Sequence, residues 1–328
     1  MQKRYFYLIT ATFLLLIQFD SHCQYICRDL GYDDTNEIQT AINFNNHVII
    51  PKTSTLWRTA PLQMRDGVTL QLEEGVILEA ISGGYGDPNV ETTHSVIKII
   101  DNNNVTLEGL GTGANIRMLI ENYNSGQQRH CIRIQGSENI IVNNITLSKS
   151  GGDGIYIGAS NTDIDSENVN VTNVTCDANA RQGLSIISAR NINIRHCVFK
   201  RTGQLNHHNL APSGPWAGID IEPNNSNEIL QNILIEDCDF ENNVNFGILI
   251  HLVSLTNSSS GLSITISDIN IEGSFSGLRL SSLSADRLDG FIDINNVTVE
   301  KSKEIGMEFI NWINGRLSVS INNSNRGR

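Results

Sequence analysis

The stretch Asp153–Gly158, "DGIYIG", alternates apolar and other residues behind a glycine. The same form returns as "QGLSII" (182–187), "AGIDIE" (217–222), "FGILIH" (246–251), "SGLRLS" (276–281) and "IGMEFI" (305–310). Its glycines, Gly154, Gly183, Gly218, Gly247, Gly277 and Gly306, are separated by 29, 35, 29, 30 and 29 residues. A second set lies between them: "NIIVNNITL" (139–147), "NVNVTNVTC" (168–176), "NINIRHCVF" (191–199), "NILIEDCDF" (232–240), "SITISDINI" (263–271) and "FIDINNVTV" (291–299). Each of these alternates, breaks at a polar or small residue, and alternates again. Period-two alternation marks strands, and a fixed repeat of several short strands without a helical pattern marks a solenoid. The fold expected is all-β, a single-stranded right-handed parallel β-helix, with two further coils around "VIKII" (96–100) and "CIRIQ" (131–135). Leucine-rich repeats would need recurring Leu and Asn at fixed offsets, and propeller blades longer periods with antiparallel hairpins.

A solenoid must cover its end. "DDTNEIQTAINF" offers Asp34 or Thr35 as a helix cap and Ile38, Ala41 and Ile42 as an apolar stripe, so an N-terminal capping helix is expected there. Ahead of it, Lys3 and Arg4 precede an apolar run from Tyr5 to Phe19, the pattern of a secretory signal and too short for a membrane span. Residues 1–23 are therefore read as a signal peptide and 24–328 as one β-helix domain, secreted or periplasmic; "FDSH" before Cys23 fits a lipoprotein anchor less well. Removal of the signal leaves 21 basic and 34 acidic side chains, which argues against nucleic acid as a partner. Five cysteines remain, Cys27, Cys131, Cys176, Cys197 and Cys238, an odd and irregularly spaced set that reads as buried small hydrophobes rather than a metal or disulfide framework.

With each glycine as origin, the first and third following residues are apolar and point inward. The second then faces out, as the column Lys98, Arg133, Tyr156, Ser185, Asp220, Leu249, Arg279, Glu308. The fourth gives Gln135, Gly158, Ile187, Glu222, His251 and Ser281, and the residue before the glycine gives His130, Asp153, Gln182, Ala217 and Phe246. Coils stack ~4.8 Å apart, close to the repeat of a saccharide chain, so these columns are expected to line a surface groove that reads successive sugars.

The capping segment, the "VIIP" strand (48–51), the run "DGVTLQLEEGVILEA" (66–80) and the stacked "GDGIYI" coils resemble the pectin-lyase-like superfamily over nearly the whole mature length. That resemblance implies the β-helix and carbohydrate-active chemistry, and leaves lyase, hydrolase, epimerase, esterase and phage-spike activities open. The strand "AGIDIEPN" (217–224) carries Asp220 and Glu222 on one face. It is similar to the D-x-E strand pair of iota-carrageenases, with Gln182 matching a nearby glutamine. It also resembles the "GFDPH" strand of mannuronan C-5 epimerases, with Glu222 in place of the histidine. Asp153 is similar in form to the aspartate strands of polygalacturonases, whose "GHG" and "RIK" motifs are absent here.

Two carboxyls two apart on a strand have Cα atoms roughly 6.5–7 Å apart, in the range inverting glycosidases use to admit a water. The sequence thus predicts a glycoside hydrolase with Asp220 and Glu222 as acid and base and Asp153 in support. Arg181 and Arg133 are candidates to hold anionic groups on a polysaccharide or oligosaccharide, with Gln182, Tyr156 and His251 also contacting it. Lys98 and Arg279 read more simply as solvated charges. The 201–218 insertion should overhang the groove, offering Trp216 as a sugar platform and His207 or His208 as reaching groups. The plainer readings are a solvated strand face for Asp220 and Glu222, and a turn-capping role for Asp153. The rival functions are a lyase or C-5 epimerase with a Tyr156 or His251 base, and a non-catalytic glycan-binding solenoid. No cofactor is required, although Asp153, Asp220 and Glu222 also offer the oxygen ligands that Ca²⁺ takes.

Overall fold

Nine strands stack in parallel register into one sheet, from Leu62–Gln63 through Ile97–Ile100, Ile132–Gln135, Ile155–Gly158, Gln182–Ile186, Ala217–Ile221, Phe246–His251 and Ser276–Ser281 to Met307–Ile310. The protein is represented by a computed structural model that describes residues 24–52, 56–90, 93–124, 127–205, 214–256, 258–282, 288–310 and 317–326. The expected signal segment, as well as His207 and His208, lies outside the described residues. The other strands form a second, 18-stranded parallel sheet that wraps the remaining sides of the coil. The architecture is the expected right-handed parallel β-helix.

The corner of that second sheet explains the polar break in each segment. Asn144, Asn173, His196, Asp237, Asp268 and Asn296 all have φ between 52° and 56°. Asn and Asp tolerate this left-handed conformation better than other residues, so the chain turns there and the alternation restarts. Longer strands such as Leu230–Glu241 and Leu262–Glu272 run straight through the bend. A second asparagine column, Asn139, Asn168, Asn191 and Asn232, also lies at positive φ and is linked from coil to coil by side-chain amide hydrogen bonds of 3.0–3.2 Å.

The inward ladders are dry. Ile155, Ile157, Leu184, Ile186, Ile219, Ile221, Ile248 and Ile250 are fully buried. The glycine column is required by close approach: a Cβ on Gly218 would lie 2.5 Å from the Phe240 ring and 2.7 Å from the Gly247 carbonyl oxygen. All five cysteines of the described chain are free and buried.

The helix forms at Thr35–Phe44 and buries Ile38, Ala41 and Ile42 over the first coils. Its cap departs from expectation. Asp34 occupies the N-cap position but makes no side-chain capping bond; its carboxylate accepts the backbone N–H groups of Leu30 (2.7 Å) and Arg58 (3.0 Å). Thr35 accepts the Ala60 N–H at 2.7 Å. Both side chains fasten the lid to the solenoid rather than closing the helix end.

Candidate active site

The outward column has the expected register. Lys98 pairs with Arg133, Arg133 with Tyr156, Tyr156 with Ser185, Ser185 with Asp220, Asp220 with Leu249, Leu249 with Arg279 and Arg279 with Glu308. Much of this column is nevertheless not a wet surface, which corrects the sequence reading. Asp220 is 1% exposed, and Asp153, Gln182 and Ser185 are 0% exposed. Alternation along a strand decides which face a side chain leaves from, not what then covers it. Here the cover is a polar cluster drawn from three successive coils.

The middle strand, Gln182–Ile186, holds the cluster together. Ser185 Oγ donates to Asp153 Oδ2 on the preceding coil (2.6 Å), and Gln182 Nε2 donates to Asp220 Oδ2 on the following one (2.8 Å). Just before that strand, Arg181 places one guanidinium nitrogen 3.9 Å from Asp153 Oδ2 and another 3.8 Å from Glu222 Oε2. Its Nε donates to the carbonyl of Gly214, at the returning end of the insertion (3.3 Å). The second oxygens of Asp153 and Asp220 are buried without a hydrogen-bond partner.

These surroundings make the carboxyls proton-retaining. Burial pushes Asp153 up to about 6, opposed by the Arg181 guanidinium and the Ser185 hydrogen bond. Asp220 is raised well above the usual carboxylate range by burial and by the charge of the neighbouring Glu222, opposed by the Arg181 guanidinium. Asp220 and Glu222 thus form a carboxyl dyad in which burial and the neighbouring charge favour the protonated form of Asp220. Glu222 is the open member, its side chain 30% exposed.

His130 completes the floor, and sequence reasoning gave it no role. Burial, with Arg133 and Arg181 nearby, holds it well below its ordinary pKa, so it is neutral. Its Nδ1 accepts the backbone N–H of Asp153 at 2.9 Å, which puts the ring proton on Nε2. The 3.4 Å approach of Nδ1 to Asp153 Oδ2 is then not an ion pair. His130 stacks on Tyr156 with ring centroids 5.0 Å apart, and the Arg133 guanidinium lies 5.0 Å from the same Tyr156 ring. The signal was available: His130 directly precedes Asp153 in the column before the glycines.

A cavity of about 500 Å³ opens beside the dyad on the C-terminal side, with Arg181, Glu222, Phe246, Leu249, His251 and Arg279 among its walls. His251 faces it and bonds Ser281 through Nδ1 at 2.7 Å. Arg279 is committed to Glu308 (2.6 Å) and lies over the Phe246 ring. Trp216 does not line this cavity; its indole packs against Gly203, where a Cβ would come within 2.9 Å. Among the described residues no group of three or more His, Cys, Asp or Glu side chains is arranged to hold a metal ion. The Arg181 guanidinium already stands between Asp153 and Glu222, so the three carboxyls do not fit the bridging calcium considered above.

The chain belongs to the right-handed β-helix family: the family profile "Right handed beta helix region" matches residues 89–260, more than half its length. No curated protein matches it by sequence. Among solved structures, it is similar to an exopolygalacturonase from Thermotoga maritima at 13% identity and TM-score 0.66, covering 92% of this chain and 80% of that one. A family 28 exopolygalacturonase from Yersinia enterocolitica aligns at 14% identity and TM-score 0.63 over 93% of this chain and 68% of that one. A galactohydrolase whose name specifies a sulfated galactose and anhydrogalactose chain aligns at 14% identity and TM-score 0.62, over 84% and 71%. Identities this low carry the fold. Among the described residues no helix is long and apolar enough to cross a membrane.

Proposed function

We propose that this protein is a polysaccharide-active enzyme, secreted or periplasmic, whose residues 24–328 act as one catalytic β-helix that hydrolyses glycosidic bonds. The observation that carries the reading is the gathering of Asp153, Asp220 and Glu222 around Arg181 beside a cavity. Such a cluster costs folding energy and gives no packing benefit, which is what a site kept for chemistry looks like. The glycan-cleaving activities named for three similarly folded proteins agree with it.

In this reading the Asp220–Glu222 dyad carries one proton and delivers it through Glu222 to the leaving oxygen. Asp153, held by Ser185 and facing Glu222 across the Arg181 guanidinium, is the second carboxyl that activates water for inversion. Arg181 keeps Asp153 ionisable near neutral pH and meets the substrate at the cavity wall.

The test is incubation of the purified protein with a panel of plant and algal polysaccharides, with products read by mass. Hydrolysis adds one water per cleaved bond. Products absorbing near 235 nm would replace hydrolysis with β-elimination, for which His251 on the cavity wall is the available base. Binding without cleavage of any polymer would reduce the protein to a glycan-binding solenoid.

A further inference from the structure

Leu249 is the one aliphatic member of an outward column whose other residues, from Lys98 to Glu308, are all polar or charged. It stacks in register on Asp220. With Ala217 and Phe246 it forms a small apolar cluster on the outer face of the sheet, separate from the core inside the coil. The outer face thus passes from carboxyls to hydrocarbon across a single strand spacing, ~4.8 Å. That boundary falls at the cavity of about 500 Å³, whose walls bring Glu222 and Arg181 together with Phe246, Leu249, Val253 and Ile310.

The charges on these walls are already matched. Two nitrogens of Arg279 reach one Glu308 oxygen at 2.6 Å, and Arg181 stands between Asp153 and Glu222. A carboxylate or sulfate entering here would meet Glu222 without an uncommitted cation to offset it. The Arg279 guanidinium also lies 4.5 Å from the centroid of the Phe246 ring and covers one of its faces. Phe246 and Leu249 are each 6% exposed, so each leaves only a small apolar area open. Such a surface suits a methyl group better than the flat face of a sugar ring, which would need an open aromatic platform.

We propose that this cavity is a specificity subsite for an uncharged sugar carrying a methyl group, either the C6 methyl of a 6-deoxyhexose or the ester methyl of a uronic acid. Leu249, Phe246 and Ile310 would hold the methyl group. The proposal rests on the reading of the cavity as part of a polysaccharide site. Because Glu222 lines the same cavity, the sugar seated there adjoins the bond that breaks. Esterification of a uronic acid would improve its fit, by removing a charge and adding a methyl group together.

The test measures selectivity in binding, apart from turnover, using the full-length Asp220→Asn protein. Two matched pairs serve as probes: methyl-esterified polygalacturonate against the same polymer de-esterified, and a 6-deoxyhexose polymer against a hexose polymer of the same linkage. The methyl-bearing member of at least one pair should bind about fivefold more tightly, and the pair that responds tells ester from deoxy sugar. Added salt should leave the preference in place, since apolar contact is not screened, whereas simple repulsion of polygalacturonate by a chain of net charge −12 would fade. Leu249→Ser should bring the ratio close to one and Leu249→Met should retain it. Ile310→Ser, at a half-buried position, should lower it partway. A ratio near one in the parent, a ratio that salt abolishes, a ratio unmoved by both Leu249→Ser and Ile310→Ser, or failure of every methyl-bearing polymer to bind overturns the subsite. Circular dichroism of each variant guards against misfolding. Failure of the hydrolase reading would show separately, as absence of products from the unmodified enzyme while the binding ratio stands.

Discussion

Ser185 donates a 2.6 Å hydrogen bond to Asp153 across the gap between two coils, and so ties a buried acid to a strand that lies 32 residues further along the chain. The same strand reaches the other way through Gln182 to Asp220. The acids are held by their stacking partners, and each prediction below perturbs one part of that arrangement.

Replacing Asp220 by Asn removes the proton-retaining carboxyl while keeping the Gln182 contact site filled by an isostere. Turnover of any responsive polysaccharide should fall about 10²–10⁴-fold, the usual weight of a general acid, with an unchanged circular dichroism spectrum. Normal turnover by Asp220→Asn would move the site elsewhere.

On the proposed mechanism Asp153, pushed up to about 6, should set the acid limb of the activity profile. Activity should rise with pH through that value as Asp153 ionises. The stability consequence has the opposite direction. Its folded pKa lies above the unfolded one, so its contribution is fully present below about pH 4 and is lost as pH rises through about 6, amounting to roughly 3 kcal/mol. Urea melts of wild type and Asp153→Asn at pH 4 and pH 8 check this: the variant should lose less stability between the two.

Arg181→Gln removes the cation that lowers both Asp153 and Asp220. The acid limb should move to higher pH, and KM should rise because the cavity wall loses its charge. An unshifted pH profile would show that Arg181 serves only to anchor Gly214.

Ile221 is fully buried one residue from Asp220, and Ile221→Asp would place an unpaired charge in the dry core. A loss of several kcal/mol is expected, roughly the range for an uncompensated buried charge. It should appear as insoluble expression or a collapsed melting temperature.

Gly218→Ala tests the tight column. The added methyl would meet the Phe240 ring at 2.5 Å, and overpacking of this kind costs about 1–3 kcal/mol. A thermal melt equal to wild type would mean that the coil relaxes there without strain.

The register was legible because glycine, the paired apolar positions and the asparagine breaks all recur on one period, and a period-two strand leaves no freedom about which side chain leaves which face. From Lys98 to Glu308 the outward column could be written down from the repeats alone. The burial of Asp220 could not, because it depends on where the Arg181 guanidinium goes and how the insertion returns at Gly214, and neither belongs to the repeat. The proton-retaining state of Asp220 was hidden for the same kind of reason: backbone spacing fixes Cα atoms, whereas burial and the field of Glu222 are set by rotamers chosen against neighbours. The placement of Trp216 was not legible either, because an aromatic in an overhanging loop reads the same whether it faces a groove or packs beside a glycine such as Gly203.

The spacing of the glycines, with five intervals of which only that between Gly183 and Gly218 is much longer than 30 residues, separates two design variables. Copying one unit would lengthen the trough by a single sugar step and leave every existing junction unchanged. Altering the one interruption would remodel the catalytic neighbourhood without changing the trough's length. Reach along a polymer and choice of bond can thus be tuned independently in this architecture.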